Sequence, residues 1–316
     1  MSENLRPDRT YAVAAFAAIA VFVGTWTLLH VGFYRHKQIA DTPVYQRYGN
    51  QIAHGKVPYR DFDLEYPPGA LPMFALPGLA APGHGQDVKP GFRRTFETLM
   101  WMCGAVALLA MALTLRALRA DPWVPLLFAA VAPLALGSVI LSRFDLWPAV
   151  LVAGATAALV SARFRTGHVL LGIGAAAKFY PGVLGIASTV VQAAVLVWIW
   201  VSFARGPATS SALVRASAAA VCAFIAFGKV LSPQFLIWLI PVVPLVRGRR
   251  GLWAGALLLA ALVLTQVWFP FRYFRLALDF EAGLSWVLLA RDLVLVALAL
   301  LLASSLRRDA IRPEYP

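Results

Sequence analysis

The chain has 316 residues and a mean hydropathy of +0.71; 60% of its residues are hydrophobic and 14% are charged. Soluble domains run at about 45–50% apolar and about 25% charged, so these totals exclude an ordinary soluble domain and point to a polytopic membrane protein with a single membrane domain, 1–316. The net charge of +13 is spread over short loops between apolar runs, the pattern by which membrane proteins set their orientation rather than a nucleic-acid footprint.

Cys103 and Cys222 both lie inside apolar runs, so neither a disulfide framework nor a metal site is expected. The first apolar run, Tyr11–Phe33, is too long for a signal-peptide core and reads as a retained first span (11–33). The segment 34–95 follows, and its first half is unlike the rest of the chain. From Asp41 to Gly69 it reads DTPVYQRYGNQIAHGKVPYRDFDLEYPPG, with Asp41, Arg47, Lys56, Arg60, Asp61, Asp63 and Glu65 interleaved with Tyr45, Tyr48, Tyr59, Phe62 and Tyr66. Polar irregular chain between spans lies outside the lipid or lines a wet cavity. Thr42 and Pro43 read as a helix start and Gly55 as its stop. Val44, Tyr45, Tyr48 and Ile52 then share one face, which predicts an amphipathic helix on the membrane surface. The stretch Tyr66–Pro82 is apolar but carries five prolines, so a poor helix in a re-entrant or interfacial segment is expected.

Nine further apolar runs follow over 96–306: Phe96–Leu118, Trp123–Leu141, Leu146–Ala162, His168–Val183, Ile186–Ala204, Ala212–Phe227, Ser232–Val246, Leu252–Phe269 and Leu284–Leu306. The fold class is therefore all-α, a transmembrane helical bundle of about ten spans. The runs near Lys178 and at Ser232 fall short of the roughly 20 residues a helix needs to cross. Arg6, Arg9, Arg116, Arg119, Arg163, Arg165, Arg205, Arg215, Arg247, Arg249, Arg250, Arg307, Arg308 and Arg312 collect at one face. Arg35 and Lys37 go against this bias and are outvoted. Both termini are accordingly expected in the cytoplasm, with 307–316 as a cytoplasmic tail and 34–95 outside.

Nearly all ionisable groups other than these arginines, among them Asp41, Arg143, Asp145, Lys178, Lys229, Arg272, Arg275, Asp279, Glu281, Arg291 and Asp292, fall at the opposite face. Charge at membrane depth is costly and marks a functional site by default. Cations ringing a cavity with carboxylates opposite suit a lipid phosphate: the cations hold its oxygens and a carboxylate takes a proton.

The blocks VYQRYGNQIAHGKVPYRDF and EYPPGALP after the first span, then RFDLWPA, AAKFYPG and GKVLSPQFLIW, resemble the polytopic GT-C glycosyltransferases of glycosyltransferase family 87, which contains the polyprenol-phosphate-mannose-dependent α-1,2-mannosyltransferases of actinobacteria. The resemblance covers most of the chain. It implies a GT-C bundle and an inverting transfer of one sugar, mannose in the family, from a polyprenyl-phosphate donor to a glycolipid or glycan acceptor on the outer face of the bacterial plasma membrane. It implies that the acidic residue after the first span, here Asp41, is the general base. No cofactor is implied. The chain departs from the family in one place: KFYPGVLGIASTVVQ runs on where longer members carry a further block.

The donor phosphate is accordingly expected at Lys178, Lys229, Arg143, Arg272 and Arg291, and the sugars at Tyr45, Tyr59, Arg60, Asp61, Glu65 and Gln234. Each has a plainer alternative. Asp41 also suits a helix cap. Asp61, Asp63 and Glu65 suit solvated loop charges or partners for Arg60, and are a weak metal signal. Lys178 and Lys229 suit snorkelling to the interface. Arg143 with Asp145, and Arg291 with Asp292, suit local pairs, and Gln234 suits a partner for carbonyls freed by Pro233. Trp147, Trp238, Trp268 and Trp286 read as aromatic-belt residues. Two further classes stay open: a degenerate relative that binds the lipid carrier without transfer, and a lipid-carrier transporter or flippase, which would carry ionisable residues near the midplane and two related halves.

Overall fold

The computed structural model describes residues 8–35, 41–82, 89–177, 186–206, 209–228, 232–277 and 281–309. They form an all-helical bundle: α1 (Asp8–Leu28), α2 (Thr42–Ala53), α3 (Pro72–Ala80), α4 (Pro90–Ala117), α5 (Trp123–Leu136), α6 (Val139–Ser142), α7 (Leu146–Val160), α8 (Phe164–Ala177), α9 (Ile186–Ala204), α10 (Ser210–Ala226), α11 (Gly248–Trp268), α12 (Tyr273–Ala277) and α13 (Ala282–Asp309). Among the described residues there is no strand, only an isolated bridge between Pro58 and Phe62.

Four helices, α1, α4, α11 and the Ala282–Ser304 part of α13, are long and apolar enough to cross a membrane. The other apolar runs form shorter helices, α5, α7, α8, α9 and α10, of 14, 15, 14, 19 and 17 residues. The run at Trp123–Leu141 is divided by Gly137, whose φ of +80° ends α5 before α6 begins.

Helix α4 packs on α1, α3 and α7, α7 on α8, and α13 on α10 and α11. Two side-chain contacts show that α1 and α4 are antiparallel. Asp8 at the start of α1 meets Arg116 in the last turn of α4, and His30 just beyond α1 meets Glu97, which also takes Arg93. Arg247, before α11, donates to the carbonyl of Leu118. Asp8, Arg116 and Arg247 thus share one end of the bundle, and α2 and α3 lie at the other, by the start of α4, where Gln46 accepts from the Lys89 N–H.

One apolar run is not an α-helix. Ser232–Val246 carries Pro233, Pro241 and Pro244, each lacking the N–H an α-helix needs. It folds as 3₁₀ turns over Pro233–Trp238 and Val243–Leu245, with Phe235, Leu239 and Val246 each bonding the carbonyl three residues back. Most of its side chains are buried against α5, α7, α10 and α11. Non-helical backbone at membrane depth is tolerated where protein covers it. A 3₁₀ turn also rises about 2.0 Å per residue against about 1.5 Å in an α-helix, so this short run reaches further than an α-helix of its length.

The loop after α1 is folded into the bundle. Helix α2 ends at Gly55, whose φ of +79° permits the paired closing bonds Gly55 N–H to Ile52 and Lys56 N–H to Gln51. The apolar face expected to lie on lipid is covered by protein instead. Tyr45 and Tyr48 are fully buried, and their rings join Tyr66, Phe74, Phe96 and Phe144 in a cluster with centroids 4.8–6.4 Å apart. Rings at such spacings favour edge-on and offset contacts beyond simple area burial.

The proline-rich stretch expected to be a poor helix contains the nine-residue helix α3. Pro72 starts it, where a missing N–H costs nothing. Pro77 is tolerated because so short a helix has few internal bonds to lose. Helices α2 and α3 cross where Gly49 meets Gly78: a Cβ on Gly78 would lie 2.4 Å from the Gly49 carbonyl carbon. Gly78→Ala therefore forces backbones apart and is expected to lower stability by about 1–3 kcal/mol, seen as an earlier thermal transition of the solubilised protein. Gly24→Ala, inside α1 with open space around its Cβ, does not lower that transition.

Candidate active site

The site is built where the start of α2 meets the junction of α6 and α7. Asp41 holds the N-cap position of α2, yet its side chain makes no capping bond. Its carboxylate turns instead to Arg143, pairing Oδ2 with Nη1. Arg143 follows the end of α6 in an extended conformation (φ −119°, ψ 139°). The next residue, Phe144, is buried in the aromatic cluster and anchors this short connection. The Asp41 and Arg143 side chains are 25% and 12% exposed, so both are reachable from outside.

Behind this pair the site is dry. Asp145 is fully buried, and its Oδ1 accepts a hydrogen bond of 3.1 Å from Trp238 Nε1. Trp238 belongs to the 3₁₀ segment and stacks on Phe235 with ring centroids 5.0 Å apart. The Tyr45 hydroxyl points to Asp41 Oδ2 at 3.5 Å. Burial, reinforced by Tyr66 and Asp145 beside it, holds this phenol well above the usual tyrosine range, so it stays a donor at neutral pH. The loop is tied down a second time by Trp147, whose Nε1 donates to the carbonyl of Gly69 at 2.9 Å. Gly69 itself abuts the backbone of Ala176 and Ala177, where a Cβ would lie 2.5 Å away.

The sequence-predicted residues divide by position. Asp41, Arg143 and the hydroxyl of Tyr45 come together. Tyr45 otherwise lies in the core, so its ring lines no open surface. Gln234 is 5% exposed, and its Oε1 accepts from Ser232 Oγ at 2.6 Å, so it sits below the surface. Arg60 and Asp61 form an exposed ion pair, and Asp61 also accepts from the Val57 N–H, closing its own turn. That bond to Arg60, first, and the Val57 N–H, second, hold the Asp61 carboxyl below its usual range. Tyr59 adopts a positive φ of +65° and donates its hydroxyl to the Tyr66 carbonyl. Glu65 is exposed.

Arg272 is exposed at the mouth of a groove of about 480 Å³ lined by Phe33, Leu134, Val263, Gln266 and Phe271. Arg291 is 1% exposed, pairs with Asp292 and lies 5.4 Å from the centre of the Trp268 ring. Lys178 and Lys229 lie outside the described residues, as does the first part, 178–185, of KFYPGVLGIASTVVQ, whose remainder begins α9. Among the described residues, no cluster of His, Cys, Asp and Glu has the makings of a metal site.

Three of the four tryptophans expected in an aromatic belt serve the interior. Trp147 and Trp238 spend their N–H groups on Gly69 and Asp145, and Trp268 is buried; Trp286 alone of the four is largely exposed, at 69%. The contribution of Trp238 carries no sequence signal, because it depends on the 3₁₀ path of its segment. No protein-family model matches the chain, and no curated protein or solved structure matches it.

Trp238→Phe keeps most of the ring and removes one donor to a fully buried carboxylate. It is expected to cost about 1–3 kcal/mol, measured by chemical denaturation in detergent, whereas Trp286→Phe is near neutral.

Proposed function

We propose that the protein is a membrane glycosyltransferase of the GT-C kind, moving a sugar, mannose by the family resemblance, from a polyprenyl-phosphate donor to a glycolipid or glycan hydroxyl. The observation that carries this reading is the partly exposed Asp41–Arg143 pair at the loop end of the bundle. It sets a carboxylate beside a cation, the two groups that transfer from a phosphate leaving group requires. In this reading Asp41 accepts the acceptor's hydroxyl proton as its oxygen attacks the anomeric carbon. The bond from that carbon to the phosphate oxygen breaks, and its electron pair leaves with the lipid phosphate. Arg143 holds the charge that develops there.

The reading places the chain in the bacterial plasma membrane along a path of about ten crossings. The arginine-rich end that includes Arg116 and Arg247 faces the cytoplasm, and the loop 34–95 faces outward. Lys178, Lys229, Arg272 and Arg291 remain proposed donor contacts, and Tyr59, Arg60, Asp61, Glu65 and Gln234 proposed sugar contacts. The same ion pair also favours a second reading. With each group occupied by the other, the protein binds the lipid carrier without transferring its sugar.

A transfer assay separates them. Purified protein in lipid is given labelled polyprenyl-phosphate-mannose and a membrane glycolipid extract. Wild-type transfer, reduced on the order of 10²–10⁴-fold in Asp41→Asn with donor binding retained, supports the enzyme and its base. Equal activity in both removes Asp41 as the base. Binding without transfer in either favours the second reading.

A further inference from the structure

We propose that Arg143 is an exchangeable counter-ion, held by Asp41 in the empty site and surrendered to the phosphate of the lipid donor. The inference rests on the transferase reading and adds how the base becomes available. In the structure the Asp41 carboxylate and the Arg143 guanidinium neutralise each other. A carboxylate beside a guanidinium takes a proton less readily than a free one. The arrangement as it stands is therefore a resting state, and something must draw Arg143 aside.

Three features make the exchange feasible. Both side chains reach solvent, at 25% and 12% exposure, whereas Asp145 behind them has none and is held by Trp238. The pair is thus the part of this cluster that an incoming anion meets. Arg143 also sits outside either helix, on a short extended connection between α6 and α7 beside the buried Phe144, so a change of partner need not move a helix. Finally, a guanidinium offers its donors in a planar fork that suits phosphate oxygens as well as it suits carboxylate.

The charges balance through the proposed step. The donor is a phosphodiester carrying one negative charge. When the anomeric carbon–oxygen bond breaks, the departing lipid phosphate carries two. At the same moment Asp41 gains the acceptor's proton and becomes neutral. Negative charge therefore leaves the carboxylate as it builds on the phosphate, and Arg143 follows it from one to the other. Loss of the lipid phosphate and of the proton restores the pair.

Binding of a polyprenyl monophosphate, undecaprenyl phosphate in detergent micelles, tests this in wild type, Asp41→Asn, Arg143→Gln, Arg143→Lys and the Asp41→Asn/Arg143→Gln double variant. Asp41→Asn is expected to bind several-fold tighter, because Arg143 no longer has to be taken from a carboxylate. Arg143→Gln is expected to bind roughly tenfold or more weakly, the loss of one charge-assisted contact. Arg143→Lys, which keeps the charge, is expected to recover part of that loss and so controls for misfolding. The double variant is expected to bind like Arg143→Gln alone. If the Asp41→Asn gain persists without Arg143, it is a general charge effect and the exchange is refuted. It is refuted equally if Asp41→Asn binds no tighter than wild type. Excess inorganic phosphate competing with the lipid in wild type but not in Arg143→Gln supports it, and competition that survives in Arg143→Gln overturns it. The cycle needs neither acceptor nor turnover. Absent transfer activity thus tells against the transferase reading alone, while absent coupling beside measured transfer tells against the exchange alone.

Discussion

The ion pair between Asp41 and Arg143 joins parts of the chain that nothing in the sequence places side by side. One end is the N-cap of the loop helix; the other is the gap between two short apolar helices. Both charges are partly withdrawn from water, where an ion pair is felt more strongly than on an open surface. The surrounding structure is arranged to hold this contact. Phe144, next to Arg143, is locked into the ring cluster with Tyr45 and Tyr66, and Tyr45 lies one helical turn beyond Asp41. The aromatic cluster thereby fixes the spacing of the two charges from both sides. Trp147 and the Gly69 contact with α8 hold the far end of the same loop.

Buried polar chemistry recurs through the bundle and sets its other constraint. In a medium without water, backbone and side-chain groups must find partners within the protein. The 3₁₀ path from Ser232 to Val246 meets this demand with short local bonds and a cover of helices. Its reward is the placement of Trp238, whose N–H serves Asp145. Arg291 is handled differently, by a neighbouring aspartate and the face of Trp268. An arginine over a ring gains attraction there without a formal partner.

How much of this was legible in the sequence follows from which signals are local. The apolar runs located the helices well, because hydropathy is a property of consecutive residues. Gly55 announced the end of α2, because a helix stop needs a residue that accepts positive φ. Apolarity, however, reports depth and not backbone path. Ser232–Val246 therefore read as one more span, though its prolines hinted otherwise. Tyr45 and Tyr48 were rightly grouped on one face, but the pattern could not say whether lipid or protein would cover it; the contact of Gly49 with Gly78 brings α3 over that face. Asp41, taken as the base on the resemblance, also suited a cap, since capping and pairing begin from the same residue. The unused cap and the turn toward Arg143 are tertiary facts. The antiparallel course of α1 and α4 is another tertiary fact: Asp8 and Arg116 meet at one end while His30 and Glu97 meet at the other.

The central claim is that Asp41 and Arg143 hold each other and through that contact organise the loop end of the bundle. Charge reversal tests it most directly. Thermal unfolding in detergent would be followed for Asp41→Arg, Arg143→Asp and the two combined. The account predicts that each single reversal lowers the transition, by placing like charges together, and that the combination recovers a substantial part of both losses. A combined variant as unstable as the sum of its singles would show that the two residues do not meet, and would contradict the account.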